Sequence, residues 1–486
     1  MVSKRSIVFK KMQKKSPSFL SLFFLFIPFF LFGNNVQISN VNLVNDSTIT
    51  FNISWENSWR VSVAPNNHDA VWLFLKRRDC ASGQWSHVEL SSVIADHTVA
   101  APLEAYIDGK DATGTKGLFL RRSADGTGNI NSTAISIRMA ALPLGQYDFR
   151  VFGIEMVQIP QGGFQAGDGN ISAGSFRKGN SNDPYIVASE AAITSSTAAA
   201  SIYTSSSTYR PISMPGNYPK GFAEIYSMKH EISQGQYVDF VNLLTSDQAS
   251  NRQITGTSNR LNITGTWPVL VANTPHRAMN YLGWADFLAY LDWAALRPMT
   301  ELEYEKICRG PVTPVASEFA WGTNIITDAN TLVNDGTATE QSSNPIVAGG
   351  GIANYNNNTV LGPLRCGFAA KAATSRLTAG SSYYGVMEMS GNVWETTVSN
   401  RHATAVAYTG NVGDGTITVS PVPGYADQAS WPTPTAAITS STAALARGIR
   451  GGAWSRAAVY LQVSNRTYIN SRDARRINDY GGRGVR

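Results

Sequence analysis

Cysteine is scarce in this chain: its 486 residues include only Cys80, Cys308 and Cys366. No thiol follows Cys366. Three cysteines allow at most one disulfide, and a core of this size needs no such staple. Cys308 falls among apolar neighbours of a predicted helix, where a buried and inert thiol is expected. Histidine is nearly as sparse, with six, at 68, 87, 97, 230, 276 and 402. No two have the i, i+4 spacing that places paired imidazoles on one helical face, so zinc or non-haem iron chemistry lacks its ligands. A surplus of charge is missing too. Of 40 lysines and arginines, six precede residue 34 without a single acid among them, and the other 34 face 34 acidic residues. A neutral chain beyond residue 33 argues against nucleic-acid binding, which needs a basic face. Only one long apolar run exists, Phe19 to Phe32, directly after the six basic residues. Residues 1–33 therefore read as a secretory signal peptide. Pro28 interrupts the run, and it is short for a membrane span. With no cysteine after the leader to carry a lipid, the expected destination is secreted, periplasmic or cell-surface, without a transmembrane domain after cleavage.

Residues 34–150 carry the alternation of half-buried strands. Candidate strands are 36–43, 48–55, 71–75, 117–121, 134–138 and 147–152, separated by Gly, Asn and Asp clusters. Such spacing predicts an all-β sandwich. It contains no acid pair or nucleophile–base arrangement, so a spacer or binding module is expected. From 151 to 486 strands are short and loops long, and two helices stand out. One is Trp284 to Trp293, with Trp284, Phe287, Leu288 and Leu291 on one stripe. The other opens on a Thr300/Glu303 capping box and stops at Gly310. Glu301, Glu303 and Glu305 read as helix-dipole support on a solvated face. Two Ser/Thr/Ala-rich stretches, 189–209 and 431–446, share the nonamer AAITSSTAA at 191–199 and 436–444, as similar surface loops would.

The most specific strings lie near the C-terminus: YGVMEMSGNVWE at 384–395 and RGGAW at 450–454. They resemble GLYDMSGNVWEW and RGGSW of the sulfatase-modifying-factor, or formylglycine-generating-enzyme, family. Three further segments resemble that family in order: EMVQIPQGGF at 155–164, MKHEISQGQYVDF at 228–240 and LRPMTELEYE at 296–305. The ending GRGVR at 482–486 is similar to its GFRVVR. The resemblance implies an α+β, C-type-lectin-like domain with few helices and long loops over 151–486, behind the all-β sandwich. It also implies a pair of copper-binding cysteines just after RGGS in the family's oxidases. Here an ungapped reading puts Arg456 and Leu461 at those positions and Ala453 at the active-site serine. Copper(I) needs soft thiolates, which neither a guanidinium nor an isobutyl group supplies. No copper is expected.

Carried over position by position, the family's calcium ligands would be Glu388, the Gly391 carbonyl, the Val393 carbonyl and Glu395. That set of hard oxygens suits calcium in a structural role. Arg456, Tyr460, Tyr468, Asn470, Arg472, Arg475 and Arg476 border the family's cleft, and Tyr, Asn and Arg are what binding surfaces favour. The glycines of RGGAW are expected to admit Trp454 or Trp394 at close range. The leading expectation is an exported, non-catalytic scaffold that binds a protein or glycan partner. A formylglycine-generating oxidase with displaced ligands and a lectin-like variable ligand-display protein are the alternatives.

Overall fold

Val71 to Leu75 is an unbroken apolar run, and such a run suits a strand covered on both faces better than a half-buried one. The computed structural model describes residues 36–357, 359–371, 374–432 and 439–486. The predicted signal peptide lies outside them, as does the start of the second nonamer. The first nonamer lies on the surface but is anchored by the buried Ile193, which pairs with Met214.

Nine strands are enough to orient the N-terminal part: β1 (Gln37–Asn45), β2 (Thr48–Arg60), β3 (Asp69–Asp79), β4 (Trp85–Val88), β5 (Thr98–Val99), β6 (Leu103–Tyr106), β7 (Leu118–Arg122), β8 (Gly126–Arg138) and β9 (Tyr147–Ile159). One sheet runs β1-β2-β8-β5. The other has eight strands and runs from Arg297–Pro298 through Gly484–Val485, Ile225–Met228, β9, β3 and β7 to β6, with β4 beside β3. The run in β3 separates two cores. Val71, Leu73 and Leu75 pack with Ile49, Phe51 and Ile53 of β2, filling a sandwich between the sheets. Ala70, Trp72 and Phe74 point the other way, into a core built from the C-terminal part. The expected half-buried alternation therefore fails in β3, whose register leaves it no solvent face. The division expected at residue 150 falls inside β9, so one continuous sheet serves both parts.

Beyond β9 the chain is α+β, with short strands, long loops and five helices among the described residues: α1 (Gln234–Asn242), α2 (Ser246–Arg252), α3 (Trp284–Trp293), α4 (Glu301–Arg309) and α5 (Ala403–Val406). None is long and apolar enough to cross a membrane. α3 departs from the one-stripe expectation because all ten of its residues are buried. Its two acids are met in the interior: Asp286 by Arg252 and Arg476, and Asp292 by the Asp414 and Asp427 N–H groups. α4 has the expected capping box, the Glu303 N–H donating to Thr300 Oγ1 and the Thr300 N–H to Glu303 Oε2. The solvated face does not exist. Glu301, Glu303 and Glu305 are all buried, and each carries arginine: Arg450 and Arg466 on Glu301, Arg297 on Glu303, and Arg309 and Arg450 on Glu305. Cys308, near the end of the same helix, is buried as expected, and burial pushes its thiol up to about 12. All three cysteines are free.

Candidate functional site

The turn before Trp394 is held in an unusual backbone course. Glu388, Gly391 and Asn392 have φ of +55°, +93° and +66°. A Cβ at Gly391 would sit 2.7 Å from the Asn354 carbonyl oxygen, so the close approach itself demands glycine. Asn392 accepts from the Leu364 N–H and donates to Glu231 at 2.5 Å. Glu231 also accepts the Val393 N–H at 3.0 Å. The chain then enters the strand Trp394–Val398, antiparallel to Arg447–Arg450 and parallel to Tyr480–Gly481.

Glu388 and Glu395 are both buried. Glu388 accepts from the Gly367 N–H at 2.9 Å and lies 3.4 Å from His230 Nδ1. Glu395 Oε1 accepts from Arg483 Nε at 2.6 Å, while its Oε2 is buried with no partner. Glu231 makes a third carboxylate in this neighbourhood. Burial, then the charges of Glu395 and Glu388, push its carboxyl well above the ordinary range. Glu231 and Arg483 were not among the sequence-predicted site residues, though both stand inside quoted motif segments, and that position was the available signal. Glu231 and His230 also line a polar cleft with His276, Arg365 and Cys366. Burial and the charges of Glu231 and Glu388 raise the Cys366 pKa well up, so that sulfur stays a thiol rather than a nucleophilic thiolate. Among the described residues, the one set of three carboxylates with oxygens within 4.8 Å of one another is elsewhere, at Asp292, Asp414 and Asp427.

The predicted cleft residues divide. Arg456, Tyr460 and Tyr468 come together on Trp394. The Trp394 and Tyr468 rings meet edge to face at 5.2 Å, and Tyr460 lies 5.5 Å from Tyr468. The half-buried Arg456 guanidinium sits 5.8 Å from the Trp394 ring and 5.7 Å from that of Tyr468, and it pairs with Asp479 at 2.8 Å. Ser455 Oγ donates to the same Asp479 oxygen at 2.6 Å. Trp394 Nε1 and Asp479 Oδ1 are buried without partners. Asn470 is half-buried and Arg472 exposed, and neither joins these rings among the described contacts. Arg475 pairs with Asp473 and Arg476 with Asp286, the latter a structural bond to α3. The glycines of RGGAW serve other neighbours than the expected tryptophans. A Cβ at Gly451 would lie 2.7 Å from the Met389 carbonyl oxygen, and one at Gly452 would lie 2.4 Å from Leu461.

Residues 150–486 match the sulfatase-modifying factor enzyme 1-like domain. The chain belongs to this family. Its fold is the C-type-lectin-like one expected of the family. Among solved structures, variable protein 1 of Treponema denticola is similar, at 14% identity and a TM-score of 0.32, over 69% of this chain and 95% of that one. No curated protein matches. Within this sulfatase-modifying-factor domain, the two positions to which the ungapped reading assigned the oxidases' cysteines face different surroundings. Arg456 is half-buried on its ion pair with Asp479, whereas Leu461 is fully buried with Phe319, Trp321 and Ala353. Ala453, at the position of the active-site serine, is buried beneath Trp394 and Tyr480.

Proposed function

We propose that this sulfatase-modifying-factor domain is a non-catalytic binding scaffold, exported by its leader, whose cleft recognises a protein or glycan partner. The observation that carries this reading is Arg456. Its guanidinium, paired with Asp479 and set against Trp394 and Tyr468, stands where a copper thiolate would be needed. Two aromatic rings with a fixed arginine and carboxylate make a recognition surface, since such side chains lose little freedom on binding. The orphaned Trp394 Nε1 and Asp479 Oδ1 are polar groups that a ligand could satisfy. The test has two arms. Incubated with copper and a cysteine-containing sulfatase peptide, the protein is expected to form no aldehyde by mass spectrometry; formation above a no-enzyme control would restore the oxidase reading. In the other arm Tyr468→Ala should abolish capture of protein or glycan partners from the native envelope with little change in melting temperature. Unchanged capture would place recognition elsewhere.

Calcium is proposed at Glu388, Glu395 and the carbonyls of Gly391 and Val393. Support comes from the gathering of Glu231, Glu388 and Glu395 around the Arg483 guanidinium and from the unpartnered Glu395 Oε2. A cation held there would be structural, because a closed set of protein oxygens leaves no open position at which to activate a substrate. At a hundredfold excess over the dissociation constant such binding stabilises by about 2.7 kcal/mol. Chelation should therefore lower the melting temperature, and calcium alone should restore it. A melting curve indifferent to chelator would mean that the acids share protons and arginine instead.

A further inference from the structure

Most buried arginines of the C-terminal part are met by acids, as Arg466 is by Glu301 at 2.7 Å, while Arg365 and Arg447 are met by backbone carbonyls. A further four, one buried, two half-buried and one exposed, lack an acid. Arg177, Arg210, Arg401 and Arg472 form no ion pair among the described residues. A short ladder pairs Arg177 with Tyr203 across two strands, Arg177–Lys178 and Ile202–Tyr203, and the Arg177 guanidinium lies 5.2 Å from that ring. Arg210 lies 4.7 Å from the same ring. Arg401 donates to the carbonyls of Thr208 and Arg210, both at 2.8 Å, which puts its charge beside Arg210. The Ala444 N–H donates to the Arg472 carbonyl at 2.9 Å and the Ser399 N–H to the Ala446 carbonyl at 2.8 Å, which brings the Arg472 segment beside that of Arg401; after burial, the like charges of Arg466, Arg210 and Arg472 lower the Arg401 pKa. Asp473, the acid next to Arg472 in sequence, is taken by Arg475 at 2.7 Å.

Two atoms point to a missing partner. Arg177 is 7% exposed and its Nε has no hydrogen-bond acceptor; the Arg210 Nε is likewise buried and unmet. Unsatisfied charged donors are costly, and like charges held together raise that cost. The chain beyond residue 33 is neutral overall, so the cluster is a local concentration rather than part of a generally basic surface.

We propose that Arg177, Arg210, Arg401 and Arg472 form a site for the oxyanion groups, sulfate or carboxylate, of an acidic polysaccharide. Guanidinium forks match such groups with paired hydrogen bonds, and several arginines gathered in one neighbourhood suit a polyanion. A single-stranded nucleic acid would need a free aromatic face on which bases stack, but Tyr203 already carries two guanidinium groups. None of the four belongs to the Trp394 group, so failure of that cleft as a recognition surface would leave this site untouched.

The full chain is tested for retention on immobilised heparin and on polygalacturonate at low salt. Binding to either is expected, and the better of the two names the oxyanion. Arg210→Ala and Arg472→Ala should each weaken it about tenfold, whereas Arg138→Ala, which removes the same charge from an exposed pair on the sandwich, should not. Should Arg210→Ala fail to fold, the exposed Arg472 still gives a clean comparison. Retention on neither polymer, equal loss in Arg138→Ala, or equal affinity for single-stranded DNA would overturn the assignment.

Discussion

Arg450→Ala is expected to cost about 3–5 kcal/mol of stability, the range for removing one partner of a buried ion pair. Arg450 is fully buried. It reaches Glu301 at 3.2 Å, Glu305 at 2.7 Å and the Val463 carbonyl at 2.6 Å. Arg466 shares Glu301, and Arg309 bridges Glu305 to Glu318. Three cations thus balance three anions away from water, and deleting one leaves an uncompensated carboxylate. Burial alone would raise the Glu305 pKa, but Arg450 and Arg309 overcome it and hold the group below its ordinary value. A depressed carboxylate contributes its stability above the unfolded pKa and loses it as pH falls through the folded one. The wild-type advantage should therefore be complete at neutral pH and fade below about pH 4.5. Urea unfolding followed by tryptophan fluorescence checks both statements. A loss under about 1 kcal/mol, typical of an exposed pair, would show that the network is solvated. The double variant Arg450→Met with Glu305→Gln should recover part of the loss, because it removes one charge of each sign.

Trp72→Ala should be as damaging, about 3–5 kcal/mol for a large buried aromatic, and should lower the stability of both halves at once. Trp72 is fully buried on the C-terminal side of β3. Its Nε1 donates to the Ala294 carbonyl at 2.9 Å, Phe119 lies 5.0 Å from its ring, and the Arg486 guanidinium stacks at 3.9 Å. Arg486 in turn pairs with Asp108 and Asp111, both at 2.8 Å. The sandwich strand thereby anchors the far end of the C-terminal part. With one sheet and two cores sharing β3, calorimetry should give a single cooperative transition in wild type and variant alike. Two separated transitions, only one of them shifted, would show that the sandwich folds as an independent unit.

Local rules explain what was legible beforehand. The capping box at Thr300 and Glu303 involves residues three apart, so the side chains that close it are adjacent in the chain. The strands of the sandwich announce themselves by a period of two. The misreading of Glu301 and Glu305 has the opposite origin. A carboxylate on a helix face looks the same in sequence whether water or arginine meets it, and the partners stand 149, 165 and 145 residues away. Likewise α3 shows a stripe, because periodicity reports where apolar residues are, not whether polar ones between them are also covered.

The family is legible in motifs that survive as contiguous strings, and so is the lack of thiols where the oxidases need them, since no fold can supply a cysteine the chain does not contain. The sequence also marked the segment Glu388 to Glu395 and, among the residues named for a cleft, the three that gather on Trp394. Which of them meet is set by the folded arrangement: Arg456 with Tyr460 and Tyr468 on Trp394, Glu231 and Arg483 at the turn, and Arg472 on a segment beside that of Arg401. It also joined the sandwich to the C-terminal part through β3 and β9. Ion pairs, ring stacks and shared sheets are set by distance in space, and a loop-rich fold brings together residues whose separation along the chain carries no trace of the meeting.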